Sequence, residues 1–221
     1  MTQLRLPLQR PEGARKDEFI VGDANARVVH HLEHWGTWPV MAALLVGPRK
    51  SGRSLLARLF TKRAGGQIID DAERASETAI FHAWNLAQAD HKPLLLVADF
   101  APPEWSVRLP DLRSRLAATP VLRIDEPDDG LFAAILRQQF DRHELDVREE
   151  AIAWMLKRVE RTYLALTRIV DALDNEAMAR DTRRISLPLA RSALQAAGLL
   201  VHMRGELDLG DRPVATPREE A

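Results

Sequence analysis

Between an apolar run and a helical pattern the chain carries Gly47-Pro48-Arg49-Lys50-Ser51-Gly52-Arg53-Ser54. This is the phosphate-loop pattern G-x-x-x-x-G-K-[ST] with Arg53 at the lysine position. It constrains the fold more than any other feature, because such a loop works only where a buried strand ends and a helix begins. Val40–Val46 reads as that strand and Leu55–Phe60 as that helix. Backbone N–H groups and the positive end of the helix attract phosphate without needing any particular side chain. Arginine keeps the charge of the missing lysine but is larger and planar. The expectation is a site that still holds a nucleotide, with its own chemistry altered.

Up to about Ile124 short apolar runs alternate with helical patterns: Val40–Val46, Gln67–Ile69, Pro93–Ala98 and Val121–Ile124. That alternation predicts an α/β fold, a parallel sheet with crossover helices. After Pro127 the pattern turns helical. Asp128-Asp129 caps a helix carrying Leu131, Ile135, Leu136 and Phe140, and Ala151–Val159, Leu164–Met178 and Leu189–Leu200 follow, the last behind Pro188. The expected plan is an arm (1–18), a nucleotide-binding α/β domain (19–126), a small helical lid (127–200) and a polar, disordered tail (201–221). At 221 residues and 46% hydrophobic content the chain can bury a real core. A net charge of −1 gives no global basic field for nucleic acid, so no direct sequence-specific DNA binding is expected. The absence of cysteine excludes disulfides and thiolate metal sites. No run approaches the roughly 20 apolar residues of a membrane span, and the amino terminus is too polar for a secretory signal. A cytoplasmic protein is the default.

Gln67–Asp71 is a short strand ending in two acids. Behind a phosphate loop, Asp70 would support Mg²⁺ together with the Ser54 hydroxyl, and Asp71 would polarise the attacking water; without the loop they would be a solvated turn. Asp99 ends the third buried strand. It either sits beside the nucleotide phosphates or starts the turn at Pro102-Pro103. Arg113 and Arg115, two apart in Leu109–Leu116, cannot share a helical face; one could serve a neighbouring protomer as an arginine finger, or both are surface residues. Gln3-Leu4-Arg5-Leu6-Pro7-Leu8 alternates its leucines, so an extended chain presents them on one side, as a docking peptide does, unless the arm packs back as an edge strand. His30 and His34 are four apart with no third ligand, which favours a surface helix over a metal site. Arg180, Arg183 and Arg184 cluster near a helix end, where cations are favourable anyway.

Together these pieces resemble the Hda family, AAA+ homologues of the replication initiator DnaA, over roughly residues 1–198. Gln3, Leu4, Leu6, Pro7 and Leu8 match the family's clamp-binding motif Q-L-x-L-P-L. Phe19–Asn25, with Ile20 and Val21, resembles the segment that wraps adenine. Gly47–Ser54, with Leu55 behind it, resembles Walker A and Ile68–Asp71 Walker B. Glu77–Asn85 looks like the family's ALFHLYN helix, Asp99 falls at sensor 1, and Leu109–Leu116 is similar to L-P-D-L-x-S-R-L, whose arginine is the finger, here Arg115. The resemblance implies a negative regulator of replication initiation. Such a protein binds the DNA polymerase III sliding clamp (the β subunit) and stimulates ATP hydrolysis by DnaA. It implies ADP or ATP with Mg²⁺ as cofactors and a possible homodimer. The alternatives are a stand-alone AAA+ ATPase and a nucleotide-independent clamp-bound scaffold.

Three departures from the pattern bear on chemistry. The first is Arg53. The second is the short link Thr61–Gly66, too brief for the extra strand and helix the fold usually carries there, which predicts the Asp70 strand as a bare sheet edge open to pairing. The third is Leu164 at the sensor 2 arginine position; Arg168, one turn later on the same face, could substitute, and otherwise the lid has lost its phosphate contact. All three weaken the chain as an ATPase itself, and none touches the clamp peptide or Arg115.

Overall fold

The computed structural model describes residues 18–201. The arm peptide Gln3–Leu8 and the tail lie outside the described residues. The elements run α1 Asp23–Glu33, β1 Ala42–Val46, α2 Arg53–Ala64, β2 Gln67–Ile69, α3 Glu77–Asp90, β3 Leu94–Ala98, α4 Pro110–Ala117 and β4 Val121–Arg123. There follow α5 Asp129–Arg142, β5 Asp146–Val147, α6 Glu149–Met155, α7 Tyr163–Ala179, β6 Arg184–Ile185 and α8 Leu187–Ala196.

The four strands β2-β3-β1-β4 form one parallel sheet in that order. Its two central strands, β1 and β3, are buried at every residue. This follows from burial on both faces: Ala43 and Leu45 join Val28, Leu32, Leu56 and Phe60 on one side. Ala42, Leu44 and Val46 join Ile80, Leu112 and Leu116 on the other. Because side chains alternate along a strand, a doubly covered strand has no polar face and reads as a continuous apolar run. β2 is an edge, three residues long, and no strand lies outside it among the described residues. The short link after α2 leaves that edge bare, as its length predicts.

The helices α5 to α8 pack around a separate core of Phe132, Leu136, Met155, Ile169, Leu173 and Leu194. Asp128 accepts the Leu131 amide at 2.8 Å and Thr162 the Ala165 amide at 3.0 Å, each starting its helix with an N-cap. Sequence periodicity does not find the two-residue parallel ladder β5–β6, whose strands are too short to carry a period. α6 stops at Met155 rather than Val159, and α8 begins at Leu187 with Pro188 in its first turn. The helical half is tied to the sheet by the Tyr163 hydroxyl, which donates to the Asp125 carbonyl at 3.2 Å, while within the helical half Arg161 grips the Asp129 carboxylate with two nitrogens. Burial, with Glu126, Asp128 and Asp125 nearby, pushes the Tyr163 phenol up to about 12, so it stays protonated and donates.

Candidate functional site

β1 ends against the phosphate loop. A Cβ at Gly47 would lie 2.7 Å from the Ile124 carbonyl oxygen, so only glycine lets the loop leave the sheet there. Lys50 has φ +68°, a left-handed conformation that costs energy outside glycine. Gly52, at φ +85°, caps α2 under the ring of Phe19. The first bond from the turn into the helix runs from Leu56 N to Gly52 O, so the amides of Arg53, Ser54 and Leu55 precede it. The Ser51 hydroxyl is buried with no hydrogen-bond partner among the described residues.

These groups border a cavity of about 240 Å³ between loop and lid. Ile20, Lys50, Ser51, Gly52 and Leu55 line it from the sheet side, with Phe19. Asn25 fixes the shape of that incoming segment by donating to the Ile20 carbonyl and accepting the Gly22 amide, both at 2.9 Å. From the lid come Ile135, Gln138, Gln139 and Arg142 of α5, and Tyr163, Leu166, Thr167, Val170 and Asp171 of α7. Both sets are helical stripes at i, i+3, i+4, i+7. The signal was in the sequence, next to the core stripe, but polar residues on an amphipathic helix are usually a solvated face, so nothing singled them out.

Other candidates for this site are not in its wall. Val21 is exposed while its neighbour Ile20 lines the cavity. Arg168 does not line the cavity. It falls between the stripe positions Thr167 and Asp171, and both Leu164 and Arg168 are exposed outside the wall. Ser54 starts α2, whereas Asp70 and Asp71 end β2, on the far side of β3 from β1. Asp70 and Asp71 are exposed, and Asp71 turns left-handed to lead the 3₁₀ turn Ala72–Arg74. No three His, Asp or Glu side chains converge on a metal position among the described residues.

Arg53 departs most from expectation. Its guanidinium does not enter the cavity wall. It turns to the end of β3, donating through Nη1 to the Ala98 carbonyl and through Nη2 to the Asp99 carboxylate at 2.5 Å. The pair is largely enclosed, with side-chain exposures of 11% and 23%. The hydrogen bond from Arg53 holds the Asp99 carboxyl below its ordinary range against the opposing effect of burial, and the charges of Arg53, Arg49 and Arg74 add to it. The loop cation thus has an internal anion.

Arg113 and Arg115 diverge as their spacing requires. Arg113 folds back on the Val107 carbonyl through Nε at 3.1 Å and Nη2 at 2.7 Å. Arg115, in the last turn of α4, lies over α3: its guanidinium carbon is 4.5 Å from the Phe81 ring centre and 5.0 Å from that of Trp84, and Nε donates to Asn85 Oδ1 at 3.0 Å. Glu77 sets the approach to α4 by accepting the amides of Arg108 at 2.9 Å and Leu109 at 2.6 Å. Those two bonds pull the Glu77 carboxyl below its ordinary range. A depressed carboxyl stabilises above its unfolded pKa and loses that contribution as pH falls through the folded one. Glu77→Ala is therefore expected to lower the hydrogen-exchange protection factors of the Arg108 and Leu109 amides at neutral pH, and acidification through the depressed carboxyl should lower the same protection factors in the unaltered protein.

The His30 and His34 rings lie tilted with centres 4.2 Å apart, and His34 Nδ1 is within hydrogen-bond distance of the His30 carbonyl. Arg180, Arg183 and Arg184 pair with Glu176, Asp174 and Asp146. No helix of the described residues is long and apolar enough to cross a membrane.

A phosphate loop at the end of a central parallel strand, an acid-bearing strand two places away and a helical lid over the cavity define an AAA+ fold. The family model described as "Hda, lid domain" matches residues 129–194. Domain III of the replication initiation protein DnaA from Thermotoga maritima superposes with a TM-score of 0.67 at 16% identity, covering 80% of this chain and 94% of that one. Residues 129–194 thus match the Hda lid domain, and the fold as a whole is that of DnaA domain III. The RuvB Holliday junction branch migration motor of the same organism gives a TM-score of 0.60 at 16% identity over 80% of this chain and 70% of that one. A DnaA replication initiator bound to AMPPCP and single-stranded DNA gives 0.55 at 18%, over 74% and 66%. An uncharacterized protein of Haemophilus influenzae is 29% identical over 119 residues, 53% of this chain and 51% of its own length. The chain spans about half the length of that curated relative.

Proposed function

We propose that this chain is a negative regulator of chromosomal replication initiation, acting in the cytoplasm as an adaptor. Its terminal peptide, through Gln3, Leu4, Leu6, Pro7 and Leu8, engages the DNA polymerase III sliding clamp. Arg115 then reaches ATP held by DnaA and promotes its hydrolysis. The observation that carries this reading is the division of labour between two arginines. Arg53, at the position that would serve the chain's own phosphates, is committed to Asp99. Arg115 lies outside the wall of the chain's own cavity, pre-set on an aromatic bed, with no protein acceptor for its Nη atoms among the described residues. A cation held outside one site is suited to act in another.

An adenine nucleotide would sit in the cavity with its base near Ile20 and its phosphates on the amides that open α2. The buried Ser51 hydroxyl and the helix-end amides fit an anion. Bound there, it would join loop and lid rather than turn over. A stand-alone ATPase is disfavoured because it needs Asp71 and Arg53 to act together. The scaffold reading keeps one observation in its favour, the internal anion at Asp99, and calorimetry with ADP separates it: no heat at millimolar ADP, with clamp binding intact, would select it.

The adaptor reading is tested by phosphate release from DnaA on clamp-loaded DNA, with and without this chain. Stimulation is expected, and deletion of residues 1–8 should abolish it together with capture by the clamp. Unchanged hydrolysis on adding the intact chain would end this reading.

A further inference from the structure

Phe19 belongs to two walls. One faces the nucleotide cavity; the other closes a second hollow, of about 110 Å³, between α1, the turn after it and α2. This hollow is mostly apolar, lined by Leu32, Trp35, Leu56, Leu59 and Phe60 among others, with Glu33 and Arg63 as its charged members. An apolar recess open to the surface can take an apolar side chain from a docking segment.

We propose that it receives the chain's own amino-terminal leucines. The segment 1–17 joins the described chain at Glu18, one residue from a wall residue of the hollow. From there Leu8 lies within a fully extended reach of roughly 30 Å, so the peptide starts at the groove it would fill. Leu4, Leu6 and Leu8 fall on one side of an extended chain and so present a single apolar row, one leucine of which can enter the hollow while the others lie along its rim. The hollow has room for a leucine-sized side chain, not for a bulky ligand. A short tether also supplies an effective concentration of the order of millimolar, so even a weak fit is occupied. A partner in trans must compete with that.

Docking is a property of this chain alone and stands whether or not the sliding clamp is its partner. A docked arm is closed to any partner groove, so apparent affinity for that partner falls in proportion to the fraction undocked. The hollow thereby acts as a resident competitor for the docking peptide.

The chain has no cysteine, so Gln9→Cys in the full-length protein accepts a single nitroxide label. The expected result is that methyl resonances of Leu32, Leu56 and Leu59 lose most of their intensity, and regain it when Leu4, Leu6 and Leu8 are also changed to serine. Those changes lie outside the described fold, and the remaining methyl spectrum serves as the folding control. A sample mixing spin-labelled, isotope-free chains with isotope-labelled, spin-free chains should show no loss. Loss in the mixed sample would assign the groove to a second copy and overturn the proposal. So would unaltered intensities in the labelled chain, or losses that survive the triple serine change.

Discussion

Arg115→Ala is expected to yield a folded protein that no longer stimulates ATP hydrolysis by DnaA. The guanidinium contributes two ring contacts and one hydrogen bond to Asn85, all at a partly exposed position. Exposed cation–π contacts contribute roughly 0.5–1 kcal/mol each, so the fold, whose cores contain none of these groups, should survive with a modest loss of melting temperature. An arginine finger in trans accelerates hydrolysis by about three to five orders of magnitude, so stimulation should fall to the level of DnaA alone. Arg115→Lys should not restore it, because an ammonium lacks the planar fork that spans phosphate oxygens and stacks on Phe81 and Trp84. Arg113→Ala is the matched control. That side chain is folded onto the Val107 carbonyl, so its loss should loosen the loop before α4 and leave most of the stimulation. Clamp capture should be unchanged in all three. Full stimulation by Arg115→Ala, in a protein that still binds the clamp, would show that the cation supplied to DnaA is another one.

Much of this architecture was legible before any coordinates, and for definable reasons. A strand covered on both faces is apolar at every position, so β1 and β3 stand out as runs. The short link after α2 left no residues for another strand, so the bare edge at β2 was a matter of counting. The acid cap at Asp128 acts through local geometry, and local geometry is what sequence carries best, although the hydroxyl cap at Thr162 went unread. What failed was orientation. Periodicity put Arg168 one turn from Leu164 and hence near its face, but which face meets the cavity is decided by how α7 packs on α5. The stripe through Thr167 and Asp171 won. The ladder β5–β6 is held by tertiary context around two residues per strand. The commitment of Arg53 to Asp99 joins residues 46 positions apart across the sheet. Each was recognisable singly, and nothing in the linear pattern says that they satisfy each other.

That pairing supports the second large effect. Asp99→Ala removes the anion from a guanidinium that is only 11% exposed and leaves it with the Ala98 carbonyl alone. Stranding one member of an enclosed pair costs about 3–5 kcal/mol when burial is complete. The partial exposure of Asp99, 23% at its side chain, brings the expected loss to about 2–4 kcal/mol. At this chain length that is a fall of roughly 5–15 °C in melting temperature. Asp99→Asn keeps an acceptor oxygen and should cost less. The same interaction gives the unaltered protein a pH signature. Because the folded carboxyl is depressed, its stabilisation is complete above the ordinary carboxylate pKa and disappears as pH falls through the depressed value; the melting-temperature gap between the two proteins should therefore close in acid. Nucleotide is the deciding titrant. If Asp99 occupies the cation that phosphates would otherwise meet, then freeing Arg53 should tighten binding, and saturating ADP should raise the melting temperature of Asp99→Ala by more than that of its parent. Equal shifts in both proteins would mean that the phosphates are held by the loop amides alone and that Arg53 has left the site for good.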